Sequence, residues 1–343
     1  MLGARPVTAV SESEWALAVK AIDGARQVSL LCHVRPDADA LGSMLALGTA
    51  LTAGRPGTEV VASFGDEPFE VPGTLRFLPG QELLVEPAQF PARSELVICL
   101  DASGLARLGR LAKAAEAAGE RIVIDHHATN TGFGTVNLVD PAAPASAVLA
   151  AELISRLGVD LTADIALGLY AGLSADTGSF RFAATPQLHE LAARLVATGI
   201  DASAVARQLF DRAPFGYLRL LSVALGRAVL EPAAAHGLGL VWTTVTRADR
   251  AAAGVPFDAA EDVIGEVRRV DEAEVAMVLK EDDRGDWEVS ARSKTLVDVA
   301  VMCAALGGGG HARAAGFSVP GREGVAVPAD QVVAAVREQL DRA

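Results

Sequence analysis

Cysteine is scarce in this chain: Cys32, Cys99 and Cys303 are an odd number without paired spacing, which excludes a disulfide framework and a thiolate zinc site. They read as small buried hydrophobes. Basic residues are also in deficit, since 30 Lys plus Arg face 43 Asp plus Glu and leave a net charge of −13. That balance opposes wide electrostatic binding to a long nucleic acid or an anionic membrane. An anionic ligand must therefore be short, or be met by a local patch or a metal ion. Aromatic residues are only 5% of the chain, and Trp15, Trp242 and Trp287 are too scattered to form a stacking platform. Long apolar runs are missing too. Nothing approaches the roughly 18 residues a membrane span needs, and MLGARPVTAVSESEW lacks the apolar stretch of a signal peptide, so a cytoplasmic location is expected.

With 343 residues, 51% of them hydrophobic, the chain has material for two cores. In the first half, short apolar runs alternate with Ala/Leu-rich stretches, the pattern of a doubly wound α/β domain with a parallel sheet. QVSLLCH (27–33), TEVVASF (58–64), ELVICLD (95–101) and RIVIDHH (121–127) read as buried strands, with helices over 39–54, 105–118 and 145–157. Residues 162–225 read as helical throughout. After Leu225 the character changes: GLGLVWTTV, EVAMVLKED, DWEVSARS and AAGFSVP read as strands, with EDDRGD as a hairpin turn and helices at 259–269, 296–306 and 329–341. The expected organisation is a catalytic domain over 1–200, a helical connector over 201–222 and a smaller α+β domain over 223–343.

Three strand ends collect the chemistry. His33, Asp37 and Asp39 in CHVRPDADALGS follow the first strand, Asp101 ends ELVICLD, and Asp125, His126 and His127 end RIVIDHH. Carboxyl ends of strands in open α/β sheets are where ligands bind. Any one of these residues could be a turn former or a helix cap, as Asp39 could be before a helix starting near Ala40. Together they crowd carboxylates so closely that like-charge repulsion requires neutralising cations. Imidazole and carboxylate donors without thiolate suit Mn²⁺, with Mg²⁺, Co²⁺ or Zn²⁺ admissible. Asp176 in GLSADTGSFRF is by itself an ordinary turn residue. A second constellation joins SARSK (290–294) to GGGGHARAAGF (307–317), where the glycines form a flexible helix-to-strand connection or expose backbone N–H groups to an anion. His311 and Arg313 would add donors beside them, and Arg292 could clamp a phosphate.

These motifs resemble the DHH–DHHA1 phosphoesterase superfamily, and within it the short oligoribonuclease and 3′-phosphoadenosine-5′-phosphate (PAP) phosphatase branch. The resemblance rests on HVRPDADALGS, DASGLARLG, IDHHATN, SADTGSFRF and GGGGHARAAGF, in the family's order from about residue 27 to 320. It implies a centre of two divalent ions. His33, Asp37 and Asp101 would hold one ion, and Asp39, Asp101, His126 and Asp176 the other, with Asp101 bridging. Asp125 would orient a histidine ligand, and His127 would face the substrate phosphate. Arg292, Gly309, Gly310 and His311 would grip the substrate from the second domain, which would close to position the ester. Ala175 departs from the Thr common before the fourth-motif Asp, at a position that is not a ligand.

The implied activity is hydrolysis of short oligoribonucleotides and linear dinucleotides to 5′-mononucleotides, and of PAP to AMP. A cyclic di-AMP phosphodiesterase is the alternative within the same chemistry. A family II pyrophosphatase would lack GGGGH. A non-catalytic nucleotide- or RNA-binding module would be expected to have lost ligands, yet all six positions are filled. The expected partner is a short nucleotide, without long nucleic acid or membrane, and a homodimer is compatible with the chain.

Overall fold

The structure, a computed structural model, describes residues 10–322 and 324–342. It divides into two compact units after Arg212.

The first unit opens with α1 (Glu12–Gly24), which the sequence reading did not mark. Ser11 and Glu14 cap it reciprocally in a capping box. Then follow β1 (Gln27–Cys32), α2 (Ala38–Gly54), β2 (Glu59–Phe64), β3 (Leu96–Leu100), α3 (Ala112–Glu116), β4 (Glu120–Asp125) and β5 (Val136–Val139). Helices α4 (Ser146–Arg156), α5 (Ala163–Asp176), α6 (Pro186–Val196) and α7 (Ala202–Phe210) complete it. The strands form a parallel five-stranded sheet in the order β2-β1-β3-β4-β5. β1 and β3 are buried almost throughout because both sheet faces are covered, which is why their sequences are continuous apolar runs. On one face Leu30, Ile98 and Ile124 pack with α2, α4 and α5; on the other Leu31, Val97, Cys99 and Val123 pack with Leu108 and Ala115.

The expected helix over 105–118 is broken. Leu105–Leu111 is a 3₁₀ turn interrupted at Gly109, whose φ of 54° belongs to the left-handed region, and only Ala112–Glu116 is α-helical. A side chain at Gly109 would meet Val34 at 2.4 Å, so the loop packs down on the strand end that carries His33.

The second unit contains α8 (Phe215–Gly226), β6 (Val229–Glu231), the one-turn α9 (Ala234–Gly237), β7 (Leu240–Val245), α10 (Arg247–Ala253), α11 (Val263–Val267), β8 (Val275–Glu281), β9 (Trp287–Ser293), α12 (Val299–Ala305), β10 (Gly309–His311), β11 (Ala314–Val319) and α13 (Ala329–Leu340). Its six-stranded sheet has the order β10-β11-β9-β8-β7-β6, and only the β7–β8 pair, joined by the α10–α11 crossover, is parallel. The EDDRGD turn closes the β8–β9 hairpin, with the Asp282 N–H donating to Asp286 O at 2.8 Å. The helix expected over 259–269 is a 3₁₀ turn, Phe257–Ala260, followed by α11. Burial alternates strictly along β9: Trp287, Val289, Ala291 and Ser293 are buried, whereas Glu288, Ser290 and Arg292 are only half-buried. The first three of the buried set pack in the core with α12 and α13. Among the described residues, no helix is long and apolar enough to cross a membrane.

Candidate metal centre

The strand order reverses between β1 and β3, since β1 is flanked by β2 on one side and by β3 on the other, and such a switch opens a crevice at the carboxyl ends. His33 is the residue after β1, and Asp101 the residue after β3. Asp125 ends β4 and is followed by His126 and His127. Asp101 has φ 55°, a costly conformation for a side chain with a Cβ, and its N–H donates to Ile124 O at 2.9 Å. The bend turns its carboxylate off the line of the strand, where it is 2% exposed.

Helix packing supplies two further carboxylates. Gly42 on α2 faces Gly168 on α5, where a Cβ at position 42 would stand 2.5 Å from Gly168 O. A Cβ at Gly172 would stand 2.6 Å from Asp39 Oδ1. These glycines let the helices touch backbone to backbone, so the start of α2 adjoins the end of α5. Asp37, not Asp39, is the N-cap of α2: its Oδ1 accepts from Asp39 N at 3.0 Å and Ala40 N at 2.9 Å. Asp39 instead lies fully buried and caps a different helix, accepting from Ser146 N at 2.6 Å and Ala147 N at 2.9 Å at the start of α4. The alternative of Asp39 as the cap of its own helix is thereby removed.

Among the described residues three groups share Asp101, one of them with Asp125 and His127, and the other two gather the expected ligands. In one, His33 Nε2 lies 3.4 Å from Asp101 Oδ2 and 3.8 Å from Asp37 Oδ2. In the other, His126 Nε2 lies 3.5 Å from Asp101 Oδ1, 3.0 Å from Asp176 Oδ2 and 3.9 Å from Asp39 Oδ2. Asp101 thus turns one oxygen toward each of these two groups. Both imidazoles are held from behind by carbonyls: His33 Nδ1 bonds Val34 O at 2.8 Å and His126 Nδ1 bonds Ala143 O at 3.1 Å. A carbonyl only accepts, so each Nδ1 carries the proton and each Nε2 lone pair is presented to a cation.

The electrostatics ask for cations as well. Burial first, and then the charges of Asp176 and Asp101, raise Asp39 well above the usual carboxylate range. Burial and the charges of Asp37 and Asp101 push Asp176 up to about 6 against the opposing pull of His126. Burial disfavours a charged His33, but the bonds to Asp101 and Asp37 outweigh it and raise that ring to about 10. Protons fill the places that divalent ions would otherwise take. Four carboxylates and two oriented imidazoles, with spare lone pairs on every carboxylate, fit hard or borderline divalent ions.

Asp125 holds a histidine, and that histidine is His127. The Nδ1 of His127 donates to Asp125 Oδ1 at 2.7 Å, while the other oxygen of Asp125 accepts from Asn130 Nδ2 at 2.5 Å. The imidazole among the metal-site carboxylates, His126, is oriented by Ala143. Burial opposes the charge on His127, but the Asp125 hydrogen bond and the Asp101 charge overcome it and raise its pKa. Sequence reasoning missed Asn130, Ala143 and Ser146, whose hydroxyl donates to Asp101 Oδ1 at 2.9 Å. The Asn in IDHHATN was the available signal for the first. Ser146 is separated from Asp101 by 45 residues and carried none.

Comparison with known proteins identifies the family. Residues 27–173 match the DHH family N-terminal domain, and residues 244–342 match the DHHA1 domain. The bifunctional oligoribonuclease and PAP phosphatase NrnA of Thermus thermophilus is 35% identical over 329 residues, covering 95% of this chain and 93% of that protein. The chain belongs to the DHH–DHHA1 phosphoesterase family. As a member it is a phosphoric ester hydrolase. A probable bifunctional oligoribonuclease and PAP phosphatase NrnA of Streptococcus mutans is 25% identical, covering 83% of this chain and 86% of its own. In fold, the chain matches an exopolyphosphatase-related protein of Bacteroides fragilis with a TM-score of 0.84 at 21% identity, over 99% of this chain and 98% of the other.

The DHHA1 unit arranges its expected substrate residues by strand register. His311 pairs with Ala314, and Ala314 pairs with Arg292, so His311 and Arg292 share one face of the sheet with a small residue between them. This is the face opposite the α12–α13 core. Gly309 lies in the neighbouring row, paired with Gly316, whereas Gly310 pairs with Ala315 and so belongs to the core-facing set. Of the four glycines, Gly309 and Gly310 belong to strand β10, and Gly307 and Gly308 connect it to α12. Close approach requires two of them: a Cβ at Gly308 would stand 2.0 Å from Gly316 O, and one at Gly310 2.6 Å from Ala314 O. Arg313 lies in the β10–β11 turn and is bonded to Val297 O at 2.8 Å, outside the row of His311 and Arg292.

Proposed function

We propose that this chain is a two-metal phosphoesterase that cleaves short oligoribonucleotides and linear dinucleotides to 5′-mononucleotides and converts PAP to AMP. The observation that carries the reading is the pair of His/Asp groups sharing the buried Asp101, in a chain alignable nearly end to end with an enzyme named for those two activities. Mn²⁺ is the ion the donor set suits best, and a cytoplasmic location goes with such substrates.

His33, Asp37 and Asp101 hold one ion and Asp39, Asp101, His126 and Asp176 the other in this reading. Bound there, the ions would lower the pKa of a coordinated water and offset charge on the phosphoryl oxygens. Ser146 and the α4 backbone hold Asp101 and Asp39 in place against their mutual repulsion. His127, with Nδ1–H committed to Asp125, keeps a proton for a phosphoryl or leaving oxygen. Arg292 and His311 bind phosphate, and Gly309 admits substrate close to the backbone. The net charge of −13 leaves little to hold a long strand, so length beyond a few nucleotides should add no affinity.

The test is a hydrolysis panel with Mn²⁺ at fixed salt, comparing PAP, di- to pentanucleotides, cyclic di-AMP and a 25-mer. PAP and the shortest oligonucleotides should be turned over most efficiently. Dominant cleavage of cyclic di-AMP would move the chain to the cyclic dinucleotide class, and comparable efficiency on the 5-mer and the 25-mer would contradict the reading.

A further inference from the structure

Asp176 stands apart from the other carboxylates of its group in what holds it. Asp39 accepts two backbone amides at the start of α4 and Asp101 accepts the Ser146 hydroxyl, so both are fixed by donors of their own. Asp176 has no such support. Among the described residues its carboxylate faces His126, with Oδ2 3.0 Å from Nε2, and takes no amide or hydroxyl donor. A cation bound by both groups would take the place of that contact, and the carboxylate would then depend on its backbone. Its side chain is also 21% exposed, against 0% for Asp39 and 2% for Asp101. Asp176 is moreover the last residue of α5, the end of a helix where partial negative charge gathers and a carboxylate is disfavoured.

The residue after it supplies the missing hold. Thr177 is fully buried, and its hydroxyl donates to Leu173 O at 2.7 Å within the last turn of α5 while accepting from Phe180 N at 2.9 Å in the turn beyond. One oxygen thus ties the helix end to the loop. The loop requires a tie, because Gly178, Ser179 and Phe180 have φ of 56°, 58° and 65°, a left-handed run in which two residues carry a Cβ. Such backbone persists only where its surroundings hold it. Ser179 N donates to Ser174 O at 2.7 Å, and Phe182 N donates to Thr177 O at 3.0 Å, which completes the reversal of the chain. The backbone is therefore fixed on both sides of Asp176.

We propose that Thr177 is a positioning residue for the metal centre, its hydroxyl fixing the backbone that presents Asp176 as a donor. The proposal deepens the two-metal reading and rests on it for the role of Asp176. Valine matches threonine in shape but makes neither hydrogen bond, whereas serine keeps the hydroxyl.

The test is calorimetric titration of Mn²⁺ into the metal-stripped full chain, with unfolding midpoints measured alongside. Thr177→Val should weaken one of two binding sites about 10- to 100-fold, the scale of lost support behind a ligand. Thr177→Ser should stay within about twofold of the unaltered chain. Asp176→Ala should weaken the same site, and adding Thr177→Val to it should cost less than about twofold more, since the residue that Thr177 positions is gone. Thr177→Ala carries the same comparison if the valine variant does not fold. Unchanged Mn²⁺ binding in Thr177→Val, equal losses with and without Asp176, or a serine variant as weak as the valine one would overturn the positioning role alone. Undiminished Mn²⁺ affinity in Asp176→Ala would remove Asp176 from the donors, overturning the ligand assignment and the positioning role together.

Discussion

The two units handle charge in opposite ways. In the first, Asp39, Asp101 and Asp125 are all but fully buried, and each is bonded to a backbone amide, a hydroxyl, an amide side chain or an imidazole. In the second, Arg292 and His311 stand half-buried on one face of a sheet whose other face carries the core. Buried charges left unpaired are costly, so the first site is rigid and depends on every partner. Half-exposed donors keep solvent as an alternative, so the second can change in steps.

The largest effect should follow from breaking the shared carboxylate. Asp101→Ala should lower turnover by about a thousandfold or more, since several kcal/mol of transition-state stabilisation depend on both ions, and metal analysis should show loss from both positions. Retained metal content with near-normal turnover would refute the two-metal assignment. Asp125→Asn comes next. It should cost about 10- to 100-fold in kcat with metal retained, because it disturbs His127 and not a ligand, whereas loss of metal would return Asp125 to the role first expected of it. On the open face, Arg292→Ala should raise KM about tenfold, the scale of one charge-assisted hydrogen bond, with metal stoichiometry intact.

A smaller effect separates helix packing from chemistry. Gly172→Ala pushes a methyl group against Asp39 and should destabilise the chain by about 1–3 kcal/mol in denaturant unfolding, with weakened metal binding; an unchanged midpoint would show that α2 and α5 can part without cost. The smallest concerns Glu274 in the second unit, whose Oε1 accepts from the N–H groups of Thr295, Leu296 and Val297 at 2.7, 2.6 and 3.2 Å. Burial opposes its charge, but these bonds prevail and lower its pKa. Its contribution is therefore present above the unfolded value of about 4.3 and is lost as pH falls through the lower folded value. Glu274→Gln should flatten stability against pH below about 5 by less than about 1 kcal/mol, a partly solvated carboxylate being well screened. An unaltered profile would remove Glu274 from the account.

Much of this was legible because the decisive signals are local. Three of the four apolar runs end in His33, Asp101 and the Asp125–His127 triplet, and a buried parallel strand needs such a run regardless of its neighbours. β5 was not legible, since Val136–Val139 is only four residues and is a strand through its pairing with β4. Nor was β10, because glycine has low strand propensity; Gly309 and Gly310 pair with β11, and at Gly310 close approach leaves no room for a side chain. The alternative of Asp39 as a cap came from the right chemistry applied to the wrong helix, which a local pattern cannot distinguish.

By itself the sequence determined the chemistry available: histidines and aspartates at strand ends, a glycine-rich segment beside His311, and too few basic residues for a long polyanion. Tertiary structure alone decided which atoms meet. Asp39 reaches α4 across 107 residues, Ser146 reaches Asp101 across 45, and the oxygens of Asp101 turn toward different histidines. Those choices depend on the distance between α2 and α5 and on the strand order at β1 and β3. Both follow from packing between segments remote in sequence, and no window along the chain contains that packing.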